Sequence, residues 1–161
     1  MTASTITELL SNNNSLTASG LASLGNGNYF ALDPIFNNVN QDFDFGFQLK
    51  IKTGTSGVSS SGTVNIFAAY SADGGSTFPD SYLGTAGAIT PVSPPNSRQI
   101  GQFNAVANGT SYTSNVVSVA AGVGYAPGVV GIIIQNNTGA SFDATGSNFK
   151  AIYERLDASS T

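Results

Sequence analysis

The chain has no histidine, no cysteine and no tryptophan, and only 9% of its 161 residues are charged. Without histidine or cysteine it cannot build the usual zinc sites, a cysteine nucleophile or a Ser–His–Asp triad. Five basic residues against nine acidic ones give a net charge of −4. So few cations cannot neutralise a run of phosphates, which argues against nucleic-acid binding. No apolar run approaches the ~20 residues that a membrane-spanning helix requires. The N-terminus carries no basic region followed by an apolar stretch, so no signal peptide is expected. The absence of cysteine leaves the redox compartment open. Helix formers are scarce and no segment keeps a 3.6-residue period.

What the chain has instead is glycine, serine, threonine and asparagine, roughly 44% of the residues and well above an ordinary share. These residues separate short apolar runs. The clearest run is Asp42–Lys52, in which Phe43, Phe45, Phe47, Leu49 and Ile51 alternate with polar residues or glycine. A period of two places all five on one face of a half-buried antiparallel strand. Residues 62–71 predict the next strand, with Val64, Ile66, Ala68 and Tyr70 on one face. The intervening Gly54–Gly62 stretch reads as a flexible hairpin loop. Further strands are expected at Arg98–Val106, Ser111–Ala120, Gly128–Gln135 and Phe149–Leu156. The Gly128–Gln135 run is apolar on both faces, as in a central strand covered on each side. In the last strand, Phe149, Ala151 and Tyr153 share a face. From Phe78 to Ser97 four prolines exclude a central strand, and a loop of that length is usually functional or contact-making.

Seven or eight short strands with Gly/Ser/Asn turns predict an all-β fold, an antiparallel β-sandwich of jelly-roll-like type with long loops. Residues 28–161 form that single domain. Residues 1–27 are an N-terminal arm or edge segment, with a loop signal at Ser11–Ser15 after the apolar cluster Ile6, Leu9 and Leu10. That cluster belongs either to a first edge strand or to an arm that docks on a neighbouring subunit.

The candidate chemistry is sparse. Asp42 and Asp44 lie two apart on one strand face, where their side chains run parallel rather than flanking a scissile bond; solvated surface is the expected role. Calcium needs only oxygen ligands, and Asp73, Asp80 and Asp143 lie in predicted loops, yet none has EF-hand spacing. Tyr82, Tyr112 and Tyr125 fall in or near loops and offer rings for a sugar platform. No catalytic residue, cofactor or metal site is expected, and an enzyme is the weakest class.

Two resemblances add to this reading. Ser71-Ala72-Asp73-Gly74-Gly75-Ser76-Thr77-Phe78 fills the S-x-D-x-G-x-T-[WF] pattern of the Asp-box of sialidase propellers. There the box is a folding element: the aspartate accepts hydrogen bonds inside a tight turn, the glycines take positive φ, and the aromatic residue packs beneath. It occurs once here, so it implies a hairpin turn rather than kinship. The longer run Thr63–Asp80, together with Gly131–Gly139 and Phe149–Leu156, resembles small structural proteins of tailed bacteriophages. That resemblance implies a virion component on the capsid surface, best matched in size by a decoration (cement) protein. Such proteins commonly form homotrimers that bridge major capsid subunits. On that reading the N-terminal cluster Ile6, Leu9 and Leu10 and the proline-rich loop around Pro94, Pro95 and Arg98 are expected to reach adjacent shell subunits. Deleting residues 1–15 is then expected to abolish shell binding and spare the fold. A tail or fibre module that binds host-surface glycans is the alternative.

Overall fold

The structure, a computed structural model, describes residues 6–37, 43–91 and 96–160, and the side chains of 14–37, 43–91 and 96–156. Among these residues eleven strands and one short helix form: β1 (Ile6–Leu16), β2 (Tyr29–Ala31), β3 (Ile35–Phe36), β4 (Asp44–Lys52), β5 (Thr63–Ser71), β6 (Gly87–Ile89), β7 (Arg98–Asn104), β8 (Ser111–Thr113), β9 (Val117–Ser118), α1 (Val119–Val123), β10 (Val129–Asn137) and β11 (Lys150–Ser160). They make two antiparallel sheets packed as a sandwich that does not close into a barrel. The first sheet runs β1-β11-β4-β8, with β9 also on β4; the second runs β6-β2-β10-β5-β7, with β3 also on β10. Five of the eleven strands have only two or three residues, which is why a reading by apolar period anticipated fewer.

The alternation in β4 orders the first sheet. Phe45, Phe47, Leu49 and Ile51 are fully buried, while Gln48, Lys50 and Lys52 point away from the core. Phe43, one residue before the strand, is 58% exposed because it lies past the end of the sandwich. Each such side chain, once fully buried, contributes about 1.5–3 kcal/mol relative to exposure. Across the core, the second sheet supplies Val64, Ile66 and Ala68 from β5 and Val130, Ile132 and Ile134 from β10. Tyr70 has the same parity and is the rung partner of the buried Val130, yet it is exposed and its ring meets that of Tyr125. Phe149, just before β11, and Ala151 and Tyr153 on it complete the interior.

The doubly apolar run of β10 is a central strand, as its pattern predicts. Its outer face, with Ile133, packs with Ala31, Phe67 and Ala69 beneath Tyr82. Tyr82 comes from the long segment 78–97. Its hydroxyl donates to the carbonyl of Leu32 at 2.8 Å in a buried setting, and its ring lies over Gly131. A methyl group at position 131 would come within 2.1 Å of that ring, so only glycine admits it. Burial first, then the Asp33 carboxylate, pushes the phenol well above its ordinary range. The segment holds its shape through Asp80, which is buried and accepts from the Asn96 and Ser97 amides and the Ser97 hydroxyl.

Several local expectations need correction. The 54–62 stretch is no hairpin, because β4 and β5 belong to different sheets. Backbone bonds tie it down: Gly54 and Ser59 donate to Ser141 and Thr138. Residues 111–120 are not one strand; Ser111–Thr113 and Val117–Ser118 pair with β4 and the chain then turns into α1. The Ser118 hydroxyl caps that helix by accepting from the Ala121 amide. The Ser11–Ser15 loop signal lies inside β1, where it marks a bulge between Ser11 and Asn14. The N-terminal segment is therefore an edge strand, antiparallel to β11, and Leu16 packs against the core.

Candidate functional site

The two ends of the sandwich differ. At one end, where β4 and β10 finish, polar groups are buried and satisfied. Asn136 is fully buried; its amide nitrogen donates to the Leu24 and Ala140 carbonyls, and its oxygen accepts from the Thr138 amide and hydroxyl. Thr53 donates to Ala107 and accepts from the Thr110 amide. The hollow there, about 420 Å³ and lined by Gly54, Ser141 and Asp143, is a shallow surface feature. Such dense pairing makes a rigid cap rather than a sticky surface.

The opposite end is apolar and open. Of the seven exposed large apolar side chains among the described residues, Phe36, Phe43, Tyr70, Val116 and Tyr125 belong to elements at this end. Phe36 is the rung partner of Val129, and Tyr70 that of Val130, at the start of β10. The Tyr70 and Tyr125 rings meet edge to face at 5.7 Å. Phe43 donates its amide to the Leu156 carbonyl, and Val116 stands against Gly46. Arg155 ties the two sheets together here. Its guanidinium lies 5.9 Å from the Phe45 ring centroid and 5.7 Å from that of Tyr153, and it donates to the Phe36 carbonyl.

From this end a ribbon projects. The last rung between β11 and β4 is Leu156–Asp44, yet β1 and β11 stay paired from Leu9–Asp157 out to Ile6–Ser160. Among the described residues no third strand backs these rungs. A two-stranded ribbon is marginal in water on its own and gains from a covering surface.

The predicted contact residues separate accordingly. Ile6 and Leu9 are in the ribbon part of β1, while Leu10 is on the Leu156 rung, which Asp44 of β4 still backs. Pro94 and Pro95 lie outside the described residues. Arg98 is exposed at the start of β7, on the edge of the second sheet, and pairs by backbone with Ala68, so it is on a different sheet from the ribbon. The exposed aromatic end had only a partial signal in sequence: Phe43 and Tyr70 fit their strand faces by period, and only the strand ends decide that they protrude.

Among the described residues no acid–base constellation assembles. Asp42 lies outside the described residues. Asp44, expected as solvated surface, instead anchors α1, accepting from the Ser118 hydroxyl and the Ala120 amide. Asp73 sits at the centre of its turn. Its carboxylate accepts from Ser71, Ser76 and Thr77, and these bonds, Ser71's first, lower its pKa to about 2. Gly74 and Gly75 take positive φ and Phe78 packs on Tyr82, so the local physics of the box holds. It is not a hairpin, however, because the next strand, β6, lies on the far edge of the sheet. Asp143 accepts from Thr145 and Asn148 and is 3.6 Å from Lys52; these bonds, with the Thr145 amide first, hold its pKa at about 2. All three candidate calcium carboxylates thus serve as staples for their own loops. The three tyrosines proposed as a platform are dispersed: Tyr82 is buried, and Tyr112 is occupied accepting the Val106 and Ala107 amides.

No protein-family model, curated protein or solved structure matches the chain.

Proposed function

We propose that the chain is a non-catalytic structural protein of a phage virion that stabilises the capsid by binding across neighbouring major capsid subunits with the apolar, ribbon-bearing end of the sandwich. The observation that carries the reading is the gathering of Phe36, Phe43, Tyr70, Val116 and Tyr125 at the end from which β1 and β11 project. Exposed apolar side chains gathered at one end of a domain mark an interaction site. The chain as a whole carries few charges, 9% of its residues, which favours contacts by shape and apolar burial that salt screens little. The rigid, hydrogen-bonded opposite end faces outward in this arrangement. Many copies on one shell add avidity without further contacts.

The test is co-sedimentation with empty heads of the phage that encodes the chain. Because Asn14–Leu16 belong to the sheet proper, the truncation that removes the ribbon alone ends at residue 9 rather than 15. That variant is expected to fold and to lose shell binding. Full occupancy by the truncated protein contradicts the assignment.

The second reading, a tail or fibre module for host glycans, draws on the exposed Tyr70–Tyr125 pair, whose rings offer stacking surface to a sugar. Reproducible sugar binding on a glycan array, lost in Tyr125→Ala, favours it over the shell.

A further inference from the structure

The outer face of the first sheet is ordered by charge along its strands. Lys150 on β11 and Lys50 on β4 are direct rung partners, both exposed. Like charges so placed destabilise a sheet, and neither lysine has an ion-pair partner among the described residues. Lys52, next on the same face, is paired with Asp143. Two residues along from Lys150, the rung is Ile152–Gln48, and two further on it is Glu154–Gly46, followed by Leu156–Asp44. The face is thus basic at one side of the Ile152–Gln48 rung and acidic at the other. Beside Gly46, against which Val116 stands, there is a hollow of about 220 Å³ lined by Asp44, Val116, Ser118, Glu154, Arg155 and Leu156. Glu154 makes no hydrogen bond or ion pair with the described residues.

This pattern is complementary to itself. A twofold axis lying across the strands at the Ile152–Gln48 rung turns one copy face to face onto another. Strand β11 then lies over β11 with its direction reversed. The basic rung of each copy comes over the acidic rung of the other, with Ile152 against Ile152 at the centre. Lys150 meets Glu154 of the second copy, and Lys50 comes over the acidic hollow that Asp44, Glu154 and Val116 line beside Gly46. Isologous twofold contacts need this self-complementarity, and twofold dimers are the commonest assemblies. We infer that the outer face of the first sheet is a homodimer interface, in which the Lys50–Lys150 rung of one copy seats on the Glu154–Gly46 rung of the other. The inference does not rest on the shell reading, and it differs from the threefold association that the phage resemblance implies.

The experiment is sedimentation equilibrium of the full chain, with no capsid present, for wild type, Lys150→Glu, Glu154→Lys and the combined variant. Wild type is expected to be a dimer that weakens as salt rises. Each single reversal places like charges across the axis and is expected to weaken the dimer by at least about tenfold. The combined variant, which restores complementarity, is expected to recover most of that loss. A monomeric or trimeric wild type overturns the proposal, as does a dimer indifferent to salt and to both reversals. The salt series on wild type decides the matter even if a variant fails to fold.

Discussion

Replacing Gly131 with alanine tests whether the long 78–97 segment is part of the fold's covering. The new methyl carbon would fall 2.1 Å from one carbon of the Tyr82 ring and within 2.8 Å of two others. The ring cannot retreat freely, because its hydroxyl is bonded to the buried Leu32 carbonyl. Overpacking of this kind costs about 1–3 kcal/mol. For a domain of this length that lowers the melting temperature by roughly 2–4 °C per kcal/mol. The decisive version is a double-mutant cycle with Tyr82→Ala. Removing the ring alone costs about 3–5 kcal/mol. With the ring gone, the methyl at 131 meets no obstacle, and alanine is about 0.5–1 kcal/mol better than glycine in a strand. Gly131→Ala should therefore destabilise the wild type and be neutral or stabilising in the Tyr82→Ala background, a coupling of about 1–4 kcal/mol. Equilibrium unfolding in urea, with the slope as a check on compactness, measures all four corners. Equal destabilisation in both backgrounds refutes the packing of Tyr82 over β10.

Other outcomes follow from single side chains. Asp73 has a folded pKa of about 2 against an ordinary 3.8, so its stabilising effect is complete above the ordinary value and disappears as pH falls toward 2; Asp73→Asn should flatten the acid limb of a stability–pH curve over that window. Asp44→Ala removes the acceptor for Ser118 and Ala120; a loss of about 1–3 kcal/mol is expected, with faster hydrogen exchange concentrated in β9 and α1. Asn136→Ala removes four hydrogen bonds; the Leu24 and Ala140 carbonyls keep the Phe142 amide and the Thr138 hydroxyl, but the buried Thr138 amide loses its acceptor, so a drop of about 1–3 kcal/mol in a urea titration is expected.

The fold was legible where periodicity was strong. The alternation of Phe45, Phe47, Leu49 and Ile51 and the two-faced run of β10 each specify a strand and its surroundings, because a period of two leaves no other conformation that buries those side chains together. Strands of two or three residues such as β3 and β9 carry no period, so they are visible only in the assembled sheets. The sequence Val119–Val123 defeats a strand reading for a local reason: Ser118 caps, Asp44 supplies a second acceptor from a strand remote in sequence, and Gly124 closes the turn in the left-handed region. The 54–62 segment has the composition of a flexible loop, yet its amides find carbonyls on the 138–141 segment, which no local pattern encodes. Of the candidate surface, Ile6, Leu9 and Leu10 could be singled out by composition. Tyr125, Phe36 and the sorting of Lys150 and Glu154 to opposite ends of one face depend on register.

Binding of the protein to empty heads, before and after the apolar end is made acidic, tests the functional account most directly. Phe43→Glu, Val116→Glu and Tyr125→Glu change three side chains that are each more than half exposed, so the fold should tolerate them. The account predicts that wild type pellets with heads to saturation and that the triple variant stays in the supernatant. Equal occupancy by the triple variant, or a wild type that never pellets with heads, contradicts it.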